Sequence, residues 1–111
     1  MSLDIYFTER KNVLCPHCGE IVKTEDVKIA GSSGRSWYPI LESLGYYVPY
    51  DERTEENDWY GKDMILTADQ AKEVYQHIKK DMFEFYQATE VMGLIAQAIL
   101  NESQVVINAN W

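Results

Sequence analysis

Apolar and polar residues alternate at the start of the chain. Leu3, Ile5 and Phe7 are apolar, and each is followed by a more polar residue. A two-residue period of this kind predicts a half-buried strand. A polar turn is expected next, over residues 9–12. Apolar pairs at 13–14 and 21–22 and alternation over 27–29 then predict further strands, with residues 15–19 at the tip of a hairpin.

The second half of the chain has a helical period. Thr67 with Gln70 three residues later forms a capping-box signature, which marks a helix start. The apolar positions after it are spaced alternately by four and three, which predicts one long helix or two helices over about residues 68–100. Gly93 is the candidate break. These positions are Ala71, Tyr75, Ile78, Met82, Phe85, Thr89, Met92, Ala96 and Ile99.

The remaining segments complete an α+β architecture. Residues 31–34 (Gly-Ser-Ser-Gly) are expected to form a flexible loop, followed by a short helix that Ser36 would cap and Gly45 would end. Alternation at Val105 and Ile107 predicts a last strand. We therefore expect a single domain, residues 1–111, in which a small antiparallel sheet joins the first and last strands and packs on the C-terminal helix or helices.

Composition and charge narrow the function classes. A 46% hydrophobic content is typical of a globular chain. The 18 acidic and 10 basic residues give a formal charge of −8, which disfavours direct nucleic-acid binding and favours a basic protein partner. The same charge could serve solubility alone. The absence of a long apolar run and of a signal-peptide pattern predicts a cytoplasmic protein without a membrane segment.

The most specific chemical motif is Cys15-Pro16-His17-Cys18-Gly19, which we call the knuckle. A two-residue spacer lets both sulfurs face one ion, and zinc favours thiolate ligands. Proline stiffens the turn and Gly19 permits a positive φ. We expect structural zinc at Cys15 and Cys18, with His77 as the best third ligand. The alternatives are a thioredoxin-like redox pair, a knuckle without metal, and a site completed across a dimer.

Patterns typical of enzymes are missing from the sequence. It has neither the HExxH of zinc proteases nor the H-x-E with PCxxC of zinc deaminases, and Gly31–Gly34 is not followed by the GK[ST] of a P-loop. A zinc enzyme also needs an open coordination position and a nearby base. The expected function is therefore binding rather than catalysis.

An acidic segment, residues 51–58, reads DERTEEND and has five acidic residues in eight positions. Next to Trp59 and Tyr60 it would suit docking on a basic groove. Alternatively it is a solvated loop whose Trp59 and Tyr60 pack into the core. The apolar stripe of the long helix fits packing on a sheet or helix-mediated dimerisation, so a monomer or weak dimer is expected. The expected partner-binding residues are Glu52, Glu55, Glu56, Asp58 and Trp59.

Both ends of the chain carry a resemblance. The opening Met1-Ser2-Leu3-Asp4-Ile5-Tyr6, the CPxCG knuckle and the closing Val105-Val106-Ile107 resemble a group of small bacteriophage and prophage proteins of unassigned function. Members often carry an Asn-Ile-Thr-His-Asn stretch after the knuckle, whereas residues 28–31 here contain no His. The resemblance implies a phage protein that inhibits a host defence protein, in the manner of an anti-CRISPR that binds a CRISPR effector nuclease in the host cytoplasm.

Overall fold

The computed structural model describes residues 3–111, so Met1 and Ser2 of the N-terminal resemblance lie outside the described part. All strand pairs are antiparallel, in the order β2-β1-β4-β3. The first and last strands pair, and the expected α+β class is confirmed. The elements are β1 (Asp4–Leu14), β2 (Ile21–Ser33), α1 (Tyr38–Ser43), β3 (Met64–Leu66), α2 (Ala68–His77), α3 (Tyr86–Leu100) and β4 (Gln104–Asn110).

One face of the sheet forms the core with the helices. Ile5 and Phe7 of β1 are buried and pair with Ala109 and Ile107 of β4, so their side chains share a face. Val91, Leu94 and Ile95 of α3 are buried in the same cluster. Alternation in β1 and the helical period in α3 thus place the two apolar surfaces against each other.

The helical region begins as the sequence predicts and divides at a different place. The Thr67 hydroxyl accepts a hydrogen bond from the Gln70 N–H, and the Gln70 side chain accepts one from the Thr67 N–H. A π-helical turn over Ile78–Met82 follows α2, and Phe85 is extended before α3 starts. The break therefore lies at 78–85, and Gly93 is inside α3 with space around it.

The strands are longer than predicted. The expected turn at residues 9–12 is wrong, because these residues lie within β1 and pair with β2. The expected loop at 31–34 is wrong for Gly31–Ser33, which end β2 and pair with Asp4–Tyr6. Backbone pairing makes these segments strands although their side chains do not follow a simple apolar alternation.

The short helix also differs in its cap. It starts at Tyr38 after a 3-10 turn, and no side chain caps it, so Ser36 does not have the expected role. Pro39 lies in the first turn, where its missing N–H costs nothing. Gly45 has φ of 77° just past the helix end, as expected.

Residues 11–25 extend beyond the rest of the sheet, and we call them the arm. Strand β4 accompanies β1 as far as Arg10, so among residues 3–111 the arm consists of the paired strands β1 and β2. None of the core side chains comes from the arm. The molecule is accordingly long, with extents of 49 × 35 × 21 Å.

Candidate metal-binding knuckle and acidic loop

The two cysteines lie at the outer end of the arm. Residues 15–20 join β1 to β2, and the turn is closed by hydrogen bonds from the Cys15 N–H to the Glu20 carbonyl (2.7 Å) and from the Gly19 N–H to the Cys15 carbonyl (2.9 Å). Gly19 has φ of 73°, which favours glycine. The predicted hairpin tip is therefore formed, and its turn depends on Gly19, which follows the second cysteine.

The knuckle gathers donors around one sulfur. The backbone N–H groups of His17 and Cys18, together with the Cys18 thiol, hydrogen-bond to the Cys15 sulfur and lower the pKa of Cys15. Both cysteines are free, and Cys18 is exposed. Two neighbouring sulfurs, one of which has a lowered pKa, could hold a soft metal ion such as Zn²⁺ or act as a thiol pair.

The proposed third ligand does not join the cysteines. His77 Nε2 lies 3.1 Å from the Ser36 carbonyl oxygen, and Nδ1 lies 3.4 Å from Asp81. Ser36 follows the end of β2, whereas the knuckle precedes its start, and β2 has 13 residues. At about 3.4 Å per residue these sites are roughly 40 Å apart. In the part of the chain that the structure describes, no three His, Cys, Asp or Glu residues are grouped to hold an ion.

The acidic loop, residues 51–58, is fixed by interactions of its own side chains. Arg53 donates two hydrogen bonds to the Val48 carbonyl, at 3.1 and 2.8 Å, and its guanidinium lies over the rings of Tyr47 and Trp111. The Asn57 side chain accepts from the Thr54 N–H at 2.7 Å. The single cation of the loop is therefore turned toward aromatic rings.

The predicted docking residues separate into two groups. Glu52, Glu55 and Glu56 are exposed, and none of them forms an ion pair with a residue in 3–111. Asp58 is half-buried and accepts a hydrogen bond from the Tyr60 N–H. Trp59 is partly buried against the core, with its ring 6.3 Å from that of Tyr46. The structure thus presents the glutamates outward and keeps Trp59 inward.

Exposed apolar side chains accompany the knuckle, and the sequence reasoning did not single them out. Leu14 and Ile21 are cross-strand partners directly below the turn, and they are 55% and 60% exposed; Val22 is 61% exposed. Their position beside the CPxCG motif was the available signal. We call these three residues the collar.

The helical stripe has a second exposed apolar surface. Tyr75 of α2 and Ala96, Ile99 and Leu100 of α3 line an open groove between the two helices. Leu100 is 78% exposed. Ala71, Ile78 and Met82 of the stripe are buried in the core and Met92 packs partly against it, whereas Phe85 is 53% exposed. The stripe therefore joins the helices to the sheet along most of its length.

Comparisons with protein-family models, curated proteins and solved structures give no match for this chain. Within residues 3–111, no helix has the length and apolar character needed to cross a bilayer.

Proposed function

We propose that this protein is a non-enzymatic binding protein that docks its acidic loop on a basic surface of another protein and holds zinc at the tip of its arm. The resemblance to phage proteins suggests the partner class, a host defence protein with a nucleic-acid-binding groove, such as a CRISPR effector nuclease. Such grooves are lined with Lys and Arg and would attract a chain of charge −8.

The observation that carries the proposal is the internal fixing of the acidic loop. The Arg53 guanidinium donates hydrogen bonds to the Val48 carbonyl and lies over the Tyr47 and Trp111 rings. The neighbouring glutamates therefore face solvent on a positioned backbone. A partner would pay little ordering cost on meeting such a surface, since the loop is already in place. Exposed charges of one sign mainly raise the association rate and select the partner.

Zinc would stabilise the arm rather than the core. The arm is a two-stranded hairpin without buried side chains in the core cluster, and hairpins of this kind are marginally stable alone. An ion on Cys15 and Cys18 would fix the turn that joins the two strands. The ligands would be deprotonated on binding, which agrees with the lowered pKa of Cys15.

The docking proposal is tested with CRISPR effector nucleases of several types as probes. Binding of the immobilised protein and inhibition of DNA cleavage are measured at low and moderate salt. We expect binding that weakens with salt and competes with duplex DNA. Replacing Glu55 and Glu56 by Gln should weaken binding by about 1 kcal/mol, which is about a fivefold increase in Kd.

The matched control replaces Glu42 and Glu84 by Gln, which removes the same charge from exposed positions elsewhere. We expect this variant to keep the affinity of the unmodified protein within about twofold. Equal losses in both variants would mean that only net charge matters. Absence of binding to every nuclease would remove the proposed partner class.

A thiol-redox protein is the second candidate, and the lowered pKa of Cys15 favours it. The Cys18 thiol is close enough to Cys15 to contribute to that lowered pKa, which places the two thiols side by side in one turn. Metal analysis and thiol titration of protein purified under reducing conditions decide between the two. Bound zinc with protected thiols supports the binding protein, and metal-free protein with a reversible Cys15–Cys18 disulfide supports redox work.

A further inference from the structure

The knuckle supplies half of a closed zinc site. Structural zinc is held by four ligands in tetrahedral geometry, and this chain brings two sulfurs together. His77 lies at the other end of β2. His17 and Glu20 are exposed in the turn itself, yet they do not form a ligand group with the cysteines. Since residues 3–111 place no further ligand beside the two sulfurs, a second molecule is the source that would complete the site.

The position of the knuckle leaves it open to another molecule. The arm extends past the last residue that β4 pairs, Arg10, and the tip follows four further residues of β1. The collar residues Leu14, Ile21 and Val22 surround this approach and are all more than half exposed. A partner that completes the metal site would at the same time cover this apolar surface.

The charge of the arm favours a second copy of the same chain. Residues 11–25 contain two lysines and two glutamates, so the formal charge of −8 lies entirely in the rest of the molecule. The body of each molecule lies roughly 14 Å behind the tip, because residues 11–14 of β1 separate them and advance about 3.4 Å each. Two bodies meeting tip to tip would be separated by more than the Debye length of about 8 Å at physiological salt.

We propose that one zinc ion is bound by Cys15 and Cys18 from each of two copies, which joins two arms tip to tip in a symmetric dimer. This inference rests on the zinc binding proposed above. A half-site of two sulfurs is self-complementary about a twofold axis, since each copy supplies the two ligands that the other lacks. Contact between the two collars then excludes water around the thiolates.

The test uses the full-length, reduced, metal-free protein titrated with Zn²⁺ and, separately, with Co²⁺. We expect saturation at one ion per two chains, conversion from monomer to dimer in sedimentation velocity, and reversal by a chelator. The cobalt spectrum should show tetrahedral coordination by four thiolates. One zinc per monomeric chain would overturn the shared site and leave zinc binding intact. No zinc binding would overturn both.

Two matched variants test the collar independently of the ligands. Ile21 and Ile29 lie on the same strand and are 60% and 61% exposed, but Ile29 is outside the arm. Ile21→Asp should weaken the zinc-dependent dimer by about tenfold or more, since it places a charge in the collar contact. Ile29→Asp should change it less than about twofold. Equal behaviour of the two variants would overturn the tip-to-tip arrangement.

Discussion

At the residue scale, Tyr46 holds together three distant segments. Its side chain is buried, its hydroxyl donates to the Lys62 carbonyl at 2.7 Å, and it accepts from the Ala109 N–H at 2.8 Å. Burial raises the pKa of this phenol. The segment after α1, the turn before β3 and the end of β4 therefore depend on one hydroxyl group.

The raised pKa of Tyr46 determines how its contribution to the free energy of unfolding changes with pH. Below the ordinary tyrosine pKa of about 10, both folded and unfolded chains keep the proton. Above it the unfolded chain loses the proton first, so this contribution to the free energy of unfolding falls as pH rises toward the folded pKa. Urea unfolding at pH 8 and pH 10.5 should show a smaller loss for Tyr46→Phe than for the unmodified protein.

Tyr46→Phe should also destabilise the protein at pH 8 by about 1–3 kcal/mol, because the Ala109 N–H loses its partner. Tyr50→Phe is the control, since Tyr50 is 87% exposed. It should change the free energy of unfolding by less than about 0.5 kcal/mol. A Tyr46→Phe variant that follows the unmodified protein at both pH values would show that the hydroxyl is not the group that titrates.

Some residue roles could be predicted because they depend on neighbouring residues, whereas others depend on contacts far along the chain. The turn at Cys15–Gly19 could be predicted because the spacing and the glycine act within five residues. The tethering of Arg53 could not, since it depends on Tyr47 and Trp111, and the inward position of Trp59, which depends on Tyr46, could be given only as one of two alternatives. Buried Glu9 belongs with these: its carboxylate accepts from the Asn101 side chain, 92 positions away.

At the element scale, the start of α2 was fully predictable and the end was not. The capping box needs only Thr67 and Gln70, and both of its hydrogen bonds are present. The spacing of four and three continues through the π-helical turn at 78–82, where Ile78 and Met82 are buried. Periodicity alone could therefore not locate the break, and the low helix propensity of glycine pointed to Gly93 instead.

The cap gives a prediction for a single element. Thr67→Ala should lower the free energy of unfolding by about 1 kcal/mol, because the Gln70 N–H loses its acceptor. Thr67→Ser keeps an acceptor oxygen and should recover most of that loss. Thr24→Ala, at an exposed position in the arm, is the second control and should be nearly neutral. Urea denaturation followed by circular dichroism measures all three, and equal stability of Thr67→Ala and Thr67→Ser would remove the capping role.

At the scale of the whole molecule, the chain divides into a packed body and an arm. The radius of gyration is 14.7 Å, against about 13 Å for a compact domain of this length. The sequence indicated a hairpin tip but not the length of the arm. A two-stranded segment exposed on both faces has no apolar alternation, and its pairing is set by the register that β1 takes with β2.

Removal of the arm tests this division. Arg10 and Asp26 are cross-strand partners and form an ion pair at 2.9 Å, so an Asn-Gly turn can join them in place of residues 11–25. Since the core cluster draws no side chain from the arm, the free energy of unfolding of the metal-free protein should change by less than about 1 kcal/mol. Its radius of gyration, measured by small-angle scattering, should fall toward that of a compact domain.

The shortened protein also separates the two binding surfaces. It should bind no zinc and stay monomeric, because Cys15 and Cys18 are gone, while the acidic loop at the other end remains anchored by Arg53. Nuclease binding should therefore persist if docking uses the loop alone. Loss of nuclease binding with an intact body would place the partner contact on the arm. Unfolding of the body on removal of the arm would instead show that β1 and β2 need their full length to pair.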